Sequence, residues 1–125
     1  MKVLIIDDDA DIRSIACMSL SRVGGMDVIE AASGGEGVRK ARDEQPDVIL
    51  LDMMMPTMDG LQTLAALLSQ PATATTPVIF LTAKAVGSDV DRLTALGAAG
   101  VLIKPFDPRT LSDDVRALVK RRPVS

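Results

Sequence analysis

Apolar residues in this chain come in short unbroken runs separated by longer amphipathic stretches. Val48-Ile49-Leu50-Leu51 shows no alternation, the pattern of a strand buried on both faces of a parallel sheet. Residues 3–6 and 78–81 repeat it, residues 101–103 give a shorter version, and residues 27–31 read as a further strand. The stretches between them carry helical spacing. Behind Asp7-Asp8-Asp9, a helix capped by Asp9 would turn Ile12, Ile15, Ala16, Leu20 and Val23 to one face and stop at Gly24-Gly25. A second helix is predicted over residues 36–44, weakened by Gly37 and closed by Pro46. Asp59-Gly60 leads into a third, with Leu61, Leu64, Ala65 and Leu68 at i, i+3, i+4 and i+7. A fourth spans about residues 88–96, with Gly97 as its stop. The last directs Leu111, Val115, Leu118 and Val119 inward and ends on Arg121-Arg122, where cations suit the helix dipole. Residues 71–77, rich in Thr and Ala between two prolines, form a loop.

Strand and helix alternating five times predict an α/β fold, a doubly wound parallel sheet with right-handed crossovers. Several strand orders satisfy that count, and periodicity does not choose among them.

Composition narrows the function. At 125 residues the chain is one domain, taken as residues 1–122 with 123–125 a short tail or the start of a linker. Its core is built from aliphatic side chains and Met, since the only aromatics are Phe80 and Phe106. A formal net charge of −3 argues against direct nucleic-acid binding, which needs a basic face. The absence of histidine removes His-based triads and His metal ligands. Cys17 is the sole cysteine, so neither an internal disulfide nor a cysteine zinc site can form. Flanked by Ile15, Ala16 and Met18, it reads as a buried structural thiol. The apolar run at residues 3–6 is too short for a signal peptide or a membrane span, which makes the cytoplasm the default location.

The polar residues that matter stand where apolar runs end: Asp7 and Asp8, Asp52, Thr82 and Lys104. In an open α/β sheet the ligand crevice lies outside the carboxyl ends of the strands, so all of these should project at one edge. Each has a plain alternative, as a turn residue, a helix cap or a solvated lysine. Together they form a chemical set. Asp7, Asp8 and Asp52 carry a formal −3, which Lys104 reduces to −2. A carboxylate pair about 4 Å apart repels by roughly 4 kcal/mol at an effective dielectric near 20. One lysine cannot offset that crowding, whereas a divalent cation brings the sum to zero. All-oxygen ligation selects Mg²⁺ or Mn²⁺ over softer metals. A hard cation, an aspartate nucleophile, a hydroxyl and an ammonium are the parts phosphoryl transfer requires, with Asp52 able to accept the group as an acyl phosphate.

The motifs Ile6-Asp7-Asp8-Asp9, Leu51-Asp52-Met53-Met54-Met55-Pro56, Met58-Asp59-Gly60, Leu81-Thr82-Ala83 and Lys104-Pro105-Phe106 resemble, in order, those of the receiver domain of two-component response regulators, of the chemotaxis-regulator kind. The resemblance covers nearly the whole chain. It implies a flavodoxin-like sheet in the order 2-1-3-4-5, with Asp52 as phosphoacceptor. Asp8 and Asp52 would ligate Mg²⁺ through their side chains and Met54 through its backbone carbonyl, with Asp7 acting mainly through a water. Thr82 would hydrogen-bond the phosphoryl group, Lys104 would pair with it, and the Lys104-Pro105 bond would be cis. The donor would be a phosphohistidine on a sensor histidine kinase or phosphotransfer protein, with a small acyl phosphate as a substitute. The output would be a changed face of the fourth helix, fifth strand and fifth helix, read by a downstream protein or output domain. Such a chain is a monomer or a phosphorylation-dependent dimer, and catalyses only its own phosphorylation and dephosphorylation. Its first strand begins at residue 2, as at a true N-terminus and unlike the tail of a hybrid kinase.

Two positions depart from the family pattern. Receivers commonly carry an aromatic residue where this chain has Val101, so the usual inward swing of a ring has no counterpart here. Movement of the segment from Thr82 to Val90 is left to report phosphorylation. The residues two beyond Asp52 and two beyond Thr82, positions that influence attack of water, are Met54 and Lys84. An apolar Met54 cannot orient that water, which predicts slow self-dephosphorylation.

Two other readings compete. A haloacid-dehalogenase-like, Mg²⁺-dependent phosphatase would use Asp7 as nucleophile with Asp9 two residues on, but no Thr or Val completes its motif and the chain is short for that fold and its cap. A flavodoxin-like flavin binder would need a Ser/Thr-rich phosphate loop and stacking aromatics that this sequence lacks.

Overall fold

In a computed structural model, which describes residues 1–83 and 87–120, every predicted strand and helix is present. The strands are β1 (Lys2–Ile6), β2 (Asp27–Ala31), β3 (Val48–Asp52), β4 (Val78–Thr82) and β5 (Gly100–Ile103). The helices are α1 (Ala10–Met18), α2 (Gly34–Glu44), α3 (Gly60–Ser69), α4 (Gly87–Ala95) and α5 (Leu111–Lys120). All strand pairs are parallel, in the order β2-β1-β3-β4-β5. Lys84, Arg121 and Arg122, and the tail at 123–125, lie outside the described residues.

The unbroken apolar runs supply two cores, one on each face of the sheet. Leu4, Ile6, Ile49, Leu51, Val78 and Phe80 face one way and pack with Ala41 of α2, Leu64 and Leu67 of α3 and Leu93 of α4. Val3, Ile5, Val48, Leu50, Ile79 and Leu81 face the other, against Ala16 of α1, Leu20, and Leu111 and Val115 of α5. A strand that must satisfy both faces cannot alternate with polar residues, which is why β3 is buried along its whole length.

Two helical faces differ from the sequence expectation. In the first helix, Ala16 and Leu20 are buried, but Ile15 and Val23 are 44% and 61% exposed. The α-helix gives way at Ser19–Val23 to a π-helical turn, whose wider winding takes Val23 off the face drawn at a 3.6-residue period. Ile15, Met18 and Val23 instead line a shallow groove with Pro108. In α3 the buried positions are Gly60, Thr63, Leu64 and Leu67, while Ala65 and Leu68 are exposed. The helix is turned by its contact with β3. Gly60 packs so close that a Cβ there would stand 2.6 Å from the Asp52 carbonyl oxygen. Thr63 tolerates burial because its hydroxyl donates to the Asp59 carbonyl at 2.8 Å.

The caps are as the residue types require. Asp9 accepts from the amides of Asp11 and Ile12, Ser33 accepts from Glu36, and Asp59 with Gln62 forms a capping box. Capping by Ser33 starts α2 at Gly34, two residues earlier than predicted. Its Gly37, which weakens the helix in isolation, leaves room for Ile6, which a Cβ would approach to 2.4 Å. Cys17 is half-buried rather than fully buried, packed against the second core. Burial and the nearby Glu30 carboxylate push its thiol up to about 11, which agrees with a structural role.

Candidate functional site

β1, β3, β4 and β5 deliver their last residues to one edge of the sheet. Asp7 follows β1 and is 0% exposed. Its amide donates to the Ala31 carbonyl at 3.1 Å, continuing the ladder with β2. Its carboxylate accepts from the Asp9 amide at 2.9 Å and from Lys104 Nζ at 2.8 Å. Asp52, the last residue of β3, is 6% exposed. Its Oδ1 accepts from Lys104 Nζ at 3.1 Å and from the Met54 amide at 3.3 Å. Asp8 is exposed, and carboxylate oxygens of Asp7, Asp8 and Asp52 lie within 4.8 Å of one another.

Thr82 ends β4, half-buried, and its carbonyl accepts from the Lys104 amide at 2.7 Å. That bond ties the hydroxyl-bearing residue to the ammonium-bearing one. The Lys104-Pro105 peptide is cis, as the resemblance implied. The structure thus brings Asp7, Asp8, Asp52 and Lys104 into one cluster and puts Thr82 at the same edge. Met54 sits in the loop after Asp52, its amide toward that carboxylate and its residue surface 79% exposed.

Aspartates adjacent in sequence do different work. Asp9, which the phosphatase reading would need beside Asp7, accepts through Oδ1 from the amides of Asp11 and Ile12. That contact gives Asp9 the work of capping α1.

The electrostatics follow from burial. Loss of water raises the Asp52 carboxyl above the usual carboxylate range, and the charge of Asp7 raises it further, against the opposing hydrogen bonds from Lys104 and Met54. Burial alone would lower the Lys104 ammonium. Its hydrogen bonds to Asp7 and Asp52 outweigh that effect and hold it above its ordinary value, so it stays charged at neutral pH. Two carboxylates share one ammonium, with a third carboxylate beside them. An all-oxygen cluster with surplus negative charge and this separation fits a hard divalent cation such as Mg²⁺ or Mn²⁺.

One contact at the site was not legible in the sequence. Arg13 of α1 donates from Nη1 to the backbone carbonyl of Asp7 at 2.7 Å. Its only sequence signal is its place one turn beyond the cap Asp9, since helical side chains lean back toward the N-terminus.

Comparison with known proteins agrees with the geometry. The family model of the response regulator receiver domain matches residues 3–116. Over 124 residues the chain is 36% identical to the alkaline phosphatase synthesis transcriptional regulatory protein PhoP of Bacillus subtilis (strain 168), a match covering 99% of this chain and 50% of that protein. It is 38% identical over 119 residues to protein PilG of Pseudomonas aeruginosa, covering 95% of this chain and 87% of PilG. The chain spans about half the length of PhoP and of the similar transcriptional regulators it matches. Among solved structures, the chemotaxis response regulator CheY4 of Vibrio cholerae superposes with a TM-score of 0.86 at 35% identity, covering 94% of this chain and 97% of that one. Among the described residues, no helix is long and apolar enough to cross a membrane.

Proposed function

Because the chain belongs to the response regulator receiver domain family, we propose that Asp52 accepts a phosphoryl group from the phosphohistidine of a sensor histidine kinase or phosphotransfer protein. Members of this family are signalling modules of two-component systems rather than enzymes acting on an external substrate. The observation that carries the assignment is the bridge from Lys104 Nζ to Asp7 at 2.8 Å and Asp52 at 3.1 Å, beside Asp8. It gives Asp52 both a counter-charge and a place on the cation cluster.

In this reading an Asp52 carboxylate oxygen attacks phosphorus as the nitrogen–phosphorus bond to the donor imidazole breaks. Lys104, already charged, turns a hydrogen bond from Asp52 to a phosphoryl oxygen. Thr82 donates its hydroxyl to another. Asp7, buried beside Lys104, holds it in place. Asp7, Asp8 and Asp52, with the Met54 carbonyl, would hold Mg²⁺ or Mn²⁺, which when bound neutralises charge on the phosphoryl oxygens.

The state of Asp52 then passes to the face of α4, β5 and α5, where a downstream protein or output domain reads it. Support for that route comes from the 2.7 Å bond between the Lys104 amide and the Thr82 carbonyl. Val101 is half-buried against the first core, so displacement of Thr82 and the segment after it carries the switch without a swinging ring. The domain is taken as residues 1–122, acting in the cytoplasm.

Exposure of the full chain to a small acyl phosphate with Mg²⁺, followed by peptide mapping, tests the assignment. A label on Asp52 that is lost in Asp52→Asn and in chelator is the expected result. A label on another aspartate, or none with the cation present, overturns it.

A further inference from the structure

We propose that Arg13 is a positioning residue for the cation cluster, an inference that rests on reading Asp7, Asp8 and Asp52 as a cation site. Arg13 stands on α1, its amide donating to the Asp9 carbonyl at 3.1 Å. Its guanidinium spans two structural units. Nη1 donates to the Asp7 carbonyl at 2.7 Å, and Nε lies 3.3 Å from Glu30 Oε1. Glu30 belongs to β2, in register with Ile5 of β1. The arginine side chain is only 18% exposed, so it is a packed strut and not a solvated surface charge.

The consequence falls on Asp8. Asp7 is already held at its amide by Ala31 and at its carboxylate by Asp9 and Lys104. The remaining polar group, its carbonyl, belongs to the peptide linking Asp7 to Asp8. Rotation of that peptide moves the Asp8 carboxylate relative to the other two. Like-charge repulsion within the cluster drives the Asp8 segment outward. The guanidinium holds the peptide against that force, and its single Nε contact with Glu30 orients it, so that its two donors grip two points as a lysine cannot. Groups that orient ligands in this way set metal affinity without touching the metal.

The sign of the effect on Mg²⁺ affinity separates positioning from simple charge. A positive group close to a cation site repels the cation, so removing Arg13 for its charge alone would tighten Mg²⁺ binding. Positioning predicts the opposite. Calorimetric titration of Mg²⁺ into the metal-free full chain, well below its melting temperature, should show Arg13→Gln binding about tenfold more weakly than wild type. Arg13→Lys, which keeps the charge but not the two-point grip, should fall between them and provides a reading should the glutamine variant fold poorly. Equal or tighter binding by both variants overturns the proposal. So does a fall in melting temperature with unchanged affinity, the mark of a purely structural arginine. A wild type that takes up no Mg²⁺ defeats the reading of the pocket itself, and this inference with it. A wild type that binds while both variants match it defeats this inference alone.

Discussion

At the residue scale, chemistry was legible where a polar side chain ends an apolar run. Asp7, Asp52 and Lys104 stood out as a set, because charges that each end an apolar run are bound for one edge of a parallel sheet, and contacts of 2.8 and 3.1 Å join them there. Arg13 was not singled out because its role depends on reaching back along a helix to a carbonyl, and its place one turn beyond Asp9 does not name a backbone acceptor. Met54 shows what a single side chain can decide. Its residue is 79% exposed beside Asp52, and a thioether cannot orient a water for attack on an acyl phosphate. Met54→Asn supplies an amide that can. The variant, once phosphorylated, should lose its label several-fold faster than wild type, as followed by the decay of intact phosphoprotein mass. A longer lifetime in the variant contradicts this account of slow self-dephosphorylation.

At the scale of elements, existence and order were readable from periodicity, but the rotation of helices was not. The stripe drawn on the first helix lost Val23 because hydrogen bonding shifts to a π-turn over Ser19–Val23, a change of winding that the residue pattern does not announce, while Ile15 lies exposed on α1 itself. The stripe drawn on α3 missed because Gly60 and Thr63 are buried. Hydropathy scores neither as core, although one allows backbone contact and the other satisfies its own hydroxyl. Gly60 links this element to the site, since it presses on the carbonyl of Asp52 and its amide donates to the Met53 carbonyl at 3.0 Å. Gly60→Ala should therefore destabilise the fold by about 1–3 kcal/mol through overpacking against backbone that cannot yield, measured by denaturant unfolding. A variant as stable as wild type would show that α3 can slide away without cost.

For the whole molecule, local patterns gave the alternation of strands and helices but not which strand lies beside which. The order β2-β1-β3-β4-β5 was foreseen only through likeness to a family, because apolar runs of similar length are interchangeable in periodicity. That order is what gathers residues 7, 52 and 104 from distant parts of the chain into a cluster that repels itself. Burial and Asp7 raise the Asp52 carboxyl. A carboxyl raised by folding binds its proton more readily in the folded state, so stability falls as pH rises from the unfolded carboxylate range through the raised value, and stays lowered above it. In metal-free buffer at pH 7, Asp52→Asn should thus melt a few degrees above wild type, about 1 kcal/mol of relief corresponding to roughly 3–6 °C in a domain of this size. The most direct check on the shared cluster is the thermal shift produced by millimolar Mg²⁺ on wild type, Asp8→Asn and Asp52→Asn. With the cation about tenfold above its dissociation constant, wild type should gain about 1.4 kcal/mol and several degrees, and each variant distinctly less. Equal shifts in all three proteins would contradict a cation held by these carboxylates together.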